Sequence, residues 1–155
     1  MATQEPAQVS LPNEREIVIT RTFGAPRAIV FDMWTNAEHI ARWWDPSGVP
    51  LAACEIDLRP GGAFRFVHDG AGHAFTGVYR EIDPPSRLVF TTPSASGAGS
   101  TGTLAFSAVG ERTLLVMTIA CVSKSDRDAL LAMRVDAGTA RTLDNLDEYL
   151  GSLAR

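Results

Sequence analysis

The chain has 155 residues, a net charge of −4 at pH 7, 45% apolar and 21% charged residues, the make-up of one soluble globular domain with room for a substantial core. Its cations are dispersed arginines with Lys124 the only lysine; no basic run tracks a phosphate backbone, and nucleic acid is not an expected partner. No apolar run reaches membrane-spanning length and Met1 to Ser10 lacks the cationic and apolar parts of a secretory signal, so a cytoplasmic protein without membrane insertion is expected.

Met1 to Asn13 is polar and proline-punctuated and reads as a mobile tail, with a single domain from Glu14 to Arg155. Glu14 to Phe23 alternates Ile17, Ile19 and Arg21 on one side with Glu16, Val18 and Thr20 on the other, a β-branched strand pattern. Gly24 and Pro26 end it. Ile29, Val30, Met33 and Trp34 then mark a short amphipathic helix, and Asn36 can cap a second that carries His39, Ile40, Trp43 and Trp44. Asp45-Pro46-Ser47-Gly48 stops it.

From Pro50 onward the pattern is strands divided by turn signals. Leu51 to Leu58, Ala63 to His68, His73 to Ile82, Arg87 to Thr92, Thr103 to Ala108 and Arg112 to Cys121 each carry one apolar face. Phe64, Phe66 and His68 share a side, as do Phe75, Gly77 and Tyr79, then Leu88 and Phe90, and later Leu115, Met117 and Ile119. Pro93 to Gly102 is serine- and glycine-rich and reads as a flexible hairpin tip or a lid. Cys54 and Cys121, far apart within apolar strands, suit reduced core thiols.

A short helix over Asp126 to Ala132, capped by Ser123 or Ser125, leads into a long one from Met133 to Leu153. Leu143, Leu146, Leu150 and Leu153 form its apolar stripe, which gives way toward the start to Ala137, Gly138 and Ala140. Small residues facing a sheet leave space that is either plugged by large side chains opposite or kept for a ligand. One strand, two short helices, six antiparallel strands and a terminal helix make an α+β fold in which a twisted sheet wraps that helix.

Three motifs bear a family likeness. Trp43-Trp44-Asp45-Pro46, the run Asp57 to Phe66 with its Arg59-Pro60-Gly61-Gly62 turn, and Gly77 to Thr91 with Asp83-Pro84-Pro85 resemble the homologues of the activator of the heat-shock protein 90 ATPase. That family lies within the START-like, or SRPBCC, superfamily. The resemblance covers about Glu14 to Leu153. It implies a helix-grip fold, a seven-stranded antiparallel sheet around the C-terminal helix with a hydrophobic cavity between them. The family often has a tryptophan just after a glycine in the long helix. Here Thr139 follows Gly138, which would enlarge or reshape the pocket, or alter only the surface.

The expected function is non-enzymatic binding of a small hydrophobic or aromatic molecule in that cavity. Phe64, Phe66, Phe75, Tyr79, Phe90 and Met117 would wall it, Trp44 would cover its mouth, Asp136 would be its polar anchor, and Ala140 would make room. No nucleophile elbow, phosphate loop or dinucleotide fingerprint is present, and no cofactor is expected. His68 and His73, with Asp69, flank one hairpin tip but fall short of a zinc ligand set, so no metal is expected either. The alternatives are a co-chaperone-like interaction domain, with a chaperone partner not favoured, and a polyketide cyclase- or aromatase-like enzyme using Asp136 or a histidine. An open sheet edge would permit a homodimer, which the sequence leaves undecided.

Overall fold

The computed structural model describes residues 6–68, 74–94 and 96–154. The elements in chain order are β1 (Gln8–Ser10), β2 (Glu16–Phe23), α1 (Arg27–Thr35), α2 (Ala37–Trp43), β3 (Ala53–Ile56), β4 (Ala63–Val67), β5 (Ala74–Asp83) and β6 (Arg87–Thr92). They continue with β7 (Ser100–Val109), β8 (Arg112–Cys121), α3 (Lys124–Ala132) and α4 (Val135–Leu153). The strands form a single antiparallel sheet of eight in the order β1-β2-β8-β7-β6-β5-β4-β3. The α+β class and the helix-grip arrangement agree with the sequence reading, but the sheet has eight strands where seven were expected. The additional strand, β1, comes from the stretch read as a tail and lies along β2, with Val9 opposite Ile19. It shields an edge that would otherwise present unpaired backbone groups.

Local chemistry explains the boundaries. Asn36 closes α1 and caps α2, its side chain accepting from the Glu38 N–H at 3.1 Å. Ser123 caps α3 in the same way, accepting from the Asp126 N–H at 3.1 Å. The long helix expected from Met133 begins at Val135 instead, because Arg134 adopts a left-handed backbone, φ 60°, that breaks it from α3.

The inner face of β2 presents Ile17, Ile19, Arg21 and Phe23, all buried. Over it lies α4, which brings Leu143, Leu146 and Leu150 into the core and also packs on α2 and α3. Arg21 is the unexpected member of that face. Its guanidinium bonds the Asp144 carboxylate, approaches Asp147 at 3.3 Å, and sits 5.7 Å from the centre of the Phe23 ring. Asp144 and Asp147 are one turn apart on α4, so a single buried cation locks the register of helix against strand.

The serine–glycine loop between β6 and β7, expected as a flexible tip or a lid, is joined to α3 through two side chains. The buried carboxylate of Asp126 accepts from Ser94 Oγ at 3.2 Å and from Ser96 Oγ at 2.7 Å. Satisfying an otherwise isolated buried charge ties this loop to the start of α3.

Candidate ligand site in the aromatic layer

On the inner face of β4, β5 and β6 the strand alternation gathers aromatic rings into one layer. Phe64 stands opposite Gly77, Phe66 opposite Phe75, and Tyr79 opposite Phe90. Ring centres of Phe64 lie 5.1 Å from Phe66, 5.6 Å from Phe75, 5.1 Å from Tyr79 and 5.5 Å from Phe90. Glycines let these rings lie on the backbone. A Cβ at Gly102 would meet a ring carbon of Phe90 at 2.6 Å, and one at Gly77 would strike Phe64 and come within 2.6 Å of the Thr91 carbonyl oxygen.

Trp44, at the C-terminal end of α2, closes the layer from the helix side, with ring centres 5.0 Å from Phe66 and 5.2 Å from Phe75. Its position is set by α4. Thr142 Oγ1 donates to the Trp44 carbonyl at 3.0 Å and Asn145 Nδ2 to the Asp45 carbonyl at 2.8 Å. Trp43 is fully buried and donates its indole N–H to the Met33 carbonyl at 3.2 Å, whereas Trp44 is half-buried.

These side chains surround a cavity of about 20 Å³ lined by Trp34, Ile40, Trp44, Phe64, Phe66, Phe75, Tyr79, Leu88 and Phe90. That is room for roughly one water molecule. The rings therefore fill most of the layer, and no residue of α4, whose small residues were expected to leave space for a ligand, lines what remains. Six of the nine site residues expected from sequence, Trp44, Phe64, Phe66, Phe75, Tyr79 and Phe90, are brought together here. Met117, Asp136 and Ala140 are not among the lining residues. Met117 is buried on β8 between Ile19 and Leu104 and belongs to the main core. Asp136 and Ala140 lie in the first seven residues of α4, 135–141, none of which is buried, because the buried stripe begins only at Thr142 and Leu143. Trp34, Ile40 and Leu88 complete the wall instead. The alternation within α1, α2 and β6 marked all three as apolar, but which core layer each entered depended on helix placement.

The chemistry of the wall is uniform. Its lining residues carry no charged side chain. Tyr79 has the one titratable group among them, and burial, reinforced by the nearby Cys54, pushes its phenol far above the usual value, so the hydroxyl stays neutral. Burial, helped by Glu55, likewise raises the Cys54 thiol to about 11.

A polar cluster borders the layer at Trp44. His68, which follows β4, bonds the Asp45 carboxylate through Nδ1 at 2.8 Å, while Ser47 donates to the same carboxylate through its backbone N–H at 2.9 Å and its hydroxyl at 2.7 Å. Burial alone would raise the Asp45 pKa, but these bonds outweigh it and hold the group below its usual value. The pairing expected between His68 and His73, with Asp69, falls outside the described residues. His39 bridges helices, its Nδ1 2.7 Å from Tyr149 Oη and its Nε2 3.4 Å from Asp32. Among the described residues no cluster of three or more His, Cys, Asp or Glu could hold a metal ion. A concavity of about 1040 Å³ is an open groove across β3 to β8. Arg65, Thr76, Arg80 and Thr91, which alternate away from the aromatic layer, help to line it.

The family model for activator of Hsp90 ATPase homolog 1-like proteins matches residues 24–151, most of the chain. The protein belongs to that family. The match takes in every element that builds the aromatic layer, from α1 to α4. Among solved structures, a Rhodobacter sphaeroides protein is similar with a TM-score of 0.85 at 24% identity, covering 95% of this chain and 99% of that one. A Nitrosomonas europaea protein gives 0.81 at 23%, with 93% and 99% covered. An HSP90 activator from Plasmodium falciparum gives 0.71 at 25%, with 88% and 96% covered. No curated protein matches it. At Gly138, the residue before Thr139, a Cβ would meet nothing within 4 Å. No described helix is long and apolar enough to cross a membrane.

Proposed function

We propose that this member of the family binds a small uncharged aromatic or apolar molecule in the aromatic layer between the sheet and the helices, without catalysing a reaction on it. The observation that carries this reading is the wall itself: nine converging residues without a charge, three of whose rings, Trp44, Phe75 and Phe90, remain half-buried at its margin. Rings that are not fully packed can swing out, and the one-water cavity is the closed form of a chamber that opens when they do. A wall with no carboxylate or imidazole has little to offer acid–base chemistry, which supports binding over cyclisation.

The test is titration with indole and naphthalene, read by thermal shift and by quenching of tryptophan fluorescence. Saturable quenching together with a raised melting temperature is expected. Neither probe producing either effect would sink the proposal. Similarity to the Plasmodium HSP90 activator supports a second reading, a chaperone-interaction role. Stimulation of an Hsp90 ATPase by this chain, insensitive to those probes, would favour it.

A further inference from the structure

Trp34 lies at the end of α1 with only 5% of its surface exposed, against Trp43 at 4.6 Å and Trp44 at 6.1 Å between ring centres. Its indole N–H is a buried donor without a hydrogen-bond partner among the described residues. Trp43, its neighbour in the same cluster, shows what such a group ordinarily does by donating to the Met33 carbonyl. Buried donors are nearly always paired, and one left open on a residue that lines a cavity is an unfilled requirement. Trp34 is one of the residues lining the cavity of the aromatic layer.

We infer that the Trp34 indole N–H is the polar anchor of the site, and that its ligand is an uncharged aromatic carbonyl compound whose oxygen accepts this hydrogen bond. This rests on the ligand-binding reading above and specifies the chemistry of the ligand. An anion is disfavoured because the wall contains no cation to compensate its burial. A hydroxyl would bring a donor of its own, for which the wall offers a single side-chain acceptor, the Tyr79 oxygen. A carbonyl oxygen brings acceptance alone, with two lone pairs. Asp136, the anchor expected from sequence, is not required, and discrimination comes from a donor that goes unpaired whenever the ligand lacks the acceptor.

Acetophenone and α-methylstyrene isolate that bond, since they share a shape and differ in C=O against C=CH₂. The wild-type chain should bind acetophenone about tenfold more tightly, the worth of one buried hydrogen bond. The indole ¹H–¹⁵N resonance of Trp34 should move downfield with acetophenone and not with α-methylstyrene. Trp34→Phe should abolish the preference for acetophenone over α-methylstyrene. If that variant does not fold, the wild-type resonance carries the test. Equal binding of the two probes, or an indole resonance unmoved by acetophenone, would overturn the anchor and leave the pocket standing. Failure of both probes to bind would remove the pocket and the anchor together.

Discussion

Replacing Phe75 with alanine tests whether the aromatic layer is a closed chamber or a solid core. The Phe75 ring packs against Trp44, Phe64 and Phe66, with centres 5.2, 5.6 and 6.0 Å away, yet it is only half-buried. Truncating a fully buried phenylalanine costs about 3–5 kcal/mol. With part of the ring already in water, Phe75→Ala should cost about 2–3 kcal/mol, mostly lost ring packing, read as a fall in the urea midpoint at unchanged slope. The space released adjoins the existing cavity of about 20 Å³ and brings it toward the size at which an apolar chamber admits benzene, roughly 150 Å³. Saturating benzene should therefore restore part of the lost stability by mass action, and should restore more in the variant than in the wild type. A loss below about 0.5 kcal/mol would mean that the ring contributes no packing. A full loss with no rescue by benzene would mean that the remaining rings collapse inward and the layer cannot hold a guest.

Gly77→Ala and Gly102→Ala should each cost about 1–3 kcal/mol in chemical denaturation, because the new Cβ overpacks Phe64 in one case and Phe90 in the other. Arg21→Ala should cost about 3–5 kcal/mol by leaving Asp147 buried without its cation, and Arg21→Met, which fills the volume but restores no charge, should recover little of that loss. Near-complete recovery in Arg21→Met would refute the electrostatic account. Asp126→Ala should speed amide exchange across Ser96 to Gly99 by releasing the loop that its carboxylate ties down. The folded state holds Asp45 below its usual pKa of 3.8, so its contribution to stability is complete above that value and is lost as the pH falls through the lowered pKa. His68→Phe should shrink this acid-side loss in pH-dependent unfolding.

Most elements were legible because their signals are local. Alternation along β2 and the aromatic strands, Asn36 and Ser123 as caps, and the leucine stripe of α4 are all set by neighbours a few residues away. The strand Gln8–Ser10 was missed since a short polar run carries no apolar alternation, and it is a strand only because β2 offers an edge. Arg21 could be placed on the inner face by parity alone, but its partners are more than a hundred residues away in sequence, beyond any periodicity.

The order of residues by itself determined which side chains share a face, and so it determined that Phe64, Phe66, Phe75, Tyr79 and Phe90 would meet. How much space they enclose was decided only in three dimensions. Volume depends on where α4 comes to rest over the sheet. Its resting place is set by the bond from Arg21 to Asp144 and by the hold of Thr142 and Asn145 on Trp44 and Asp45. With the helix seated there, no residue of α4 lines the cavity, and the wall residue with a buried donor left unpartnered is Trp34.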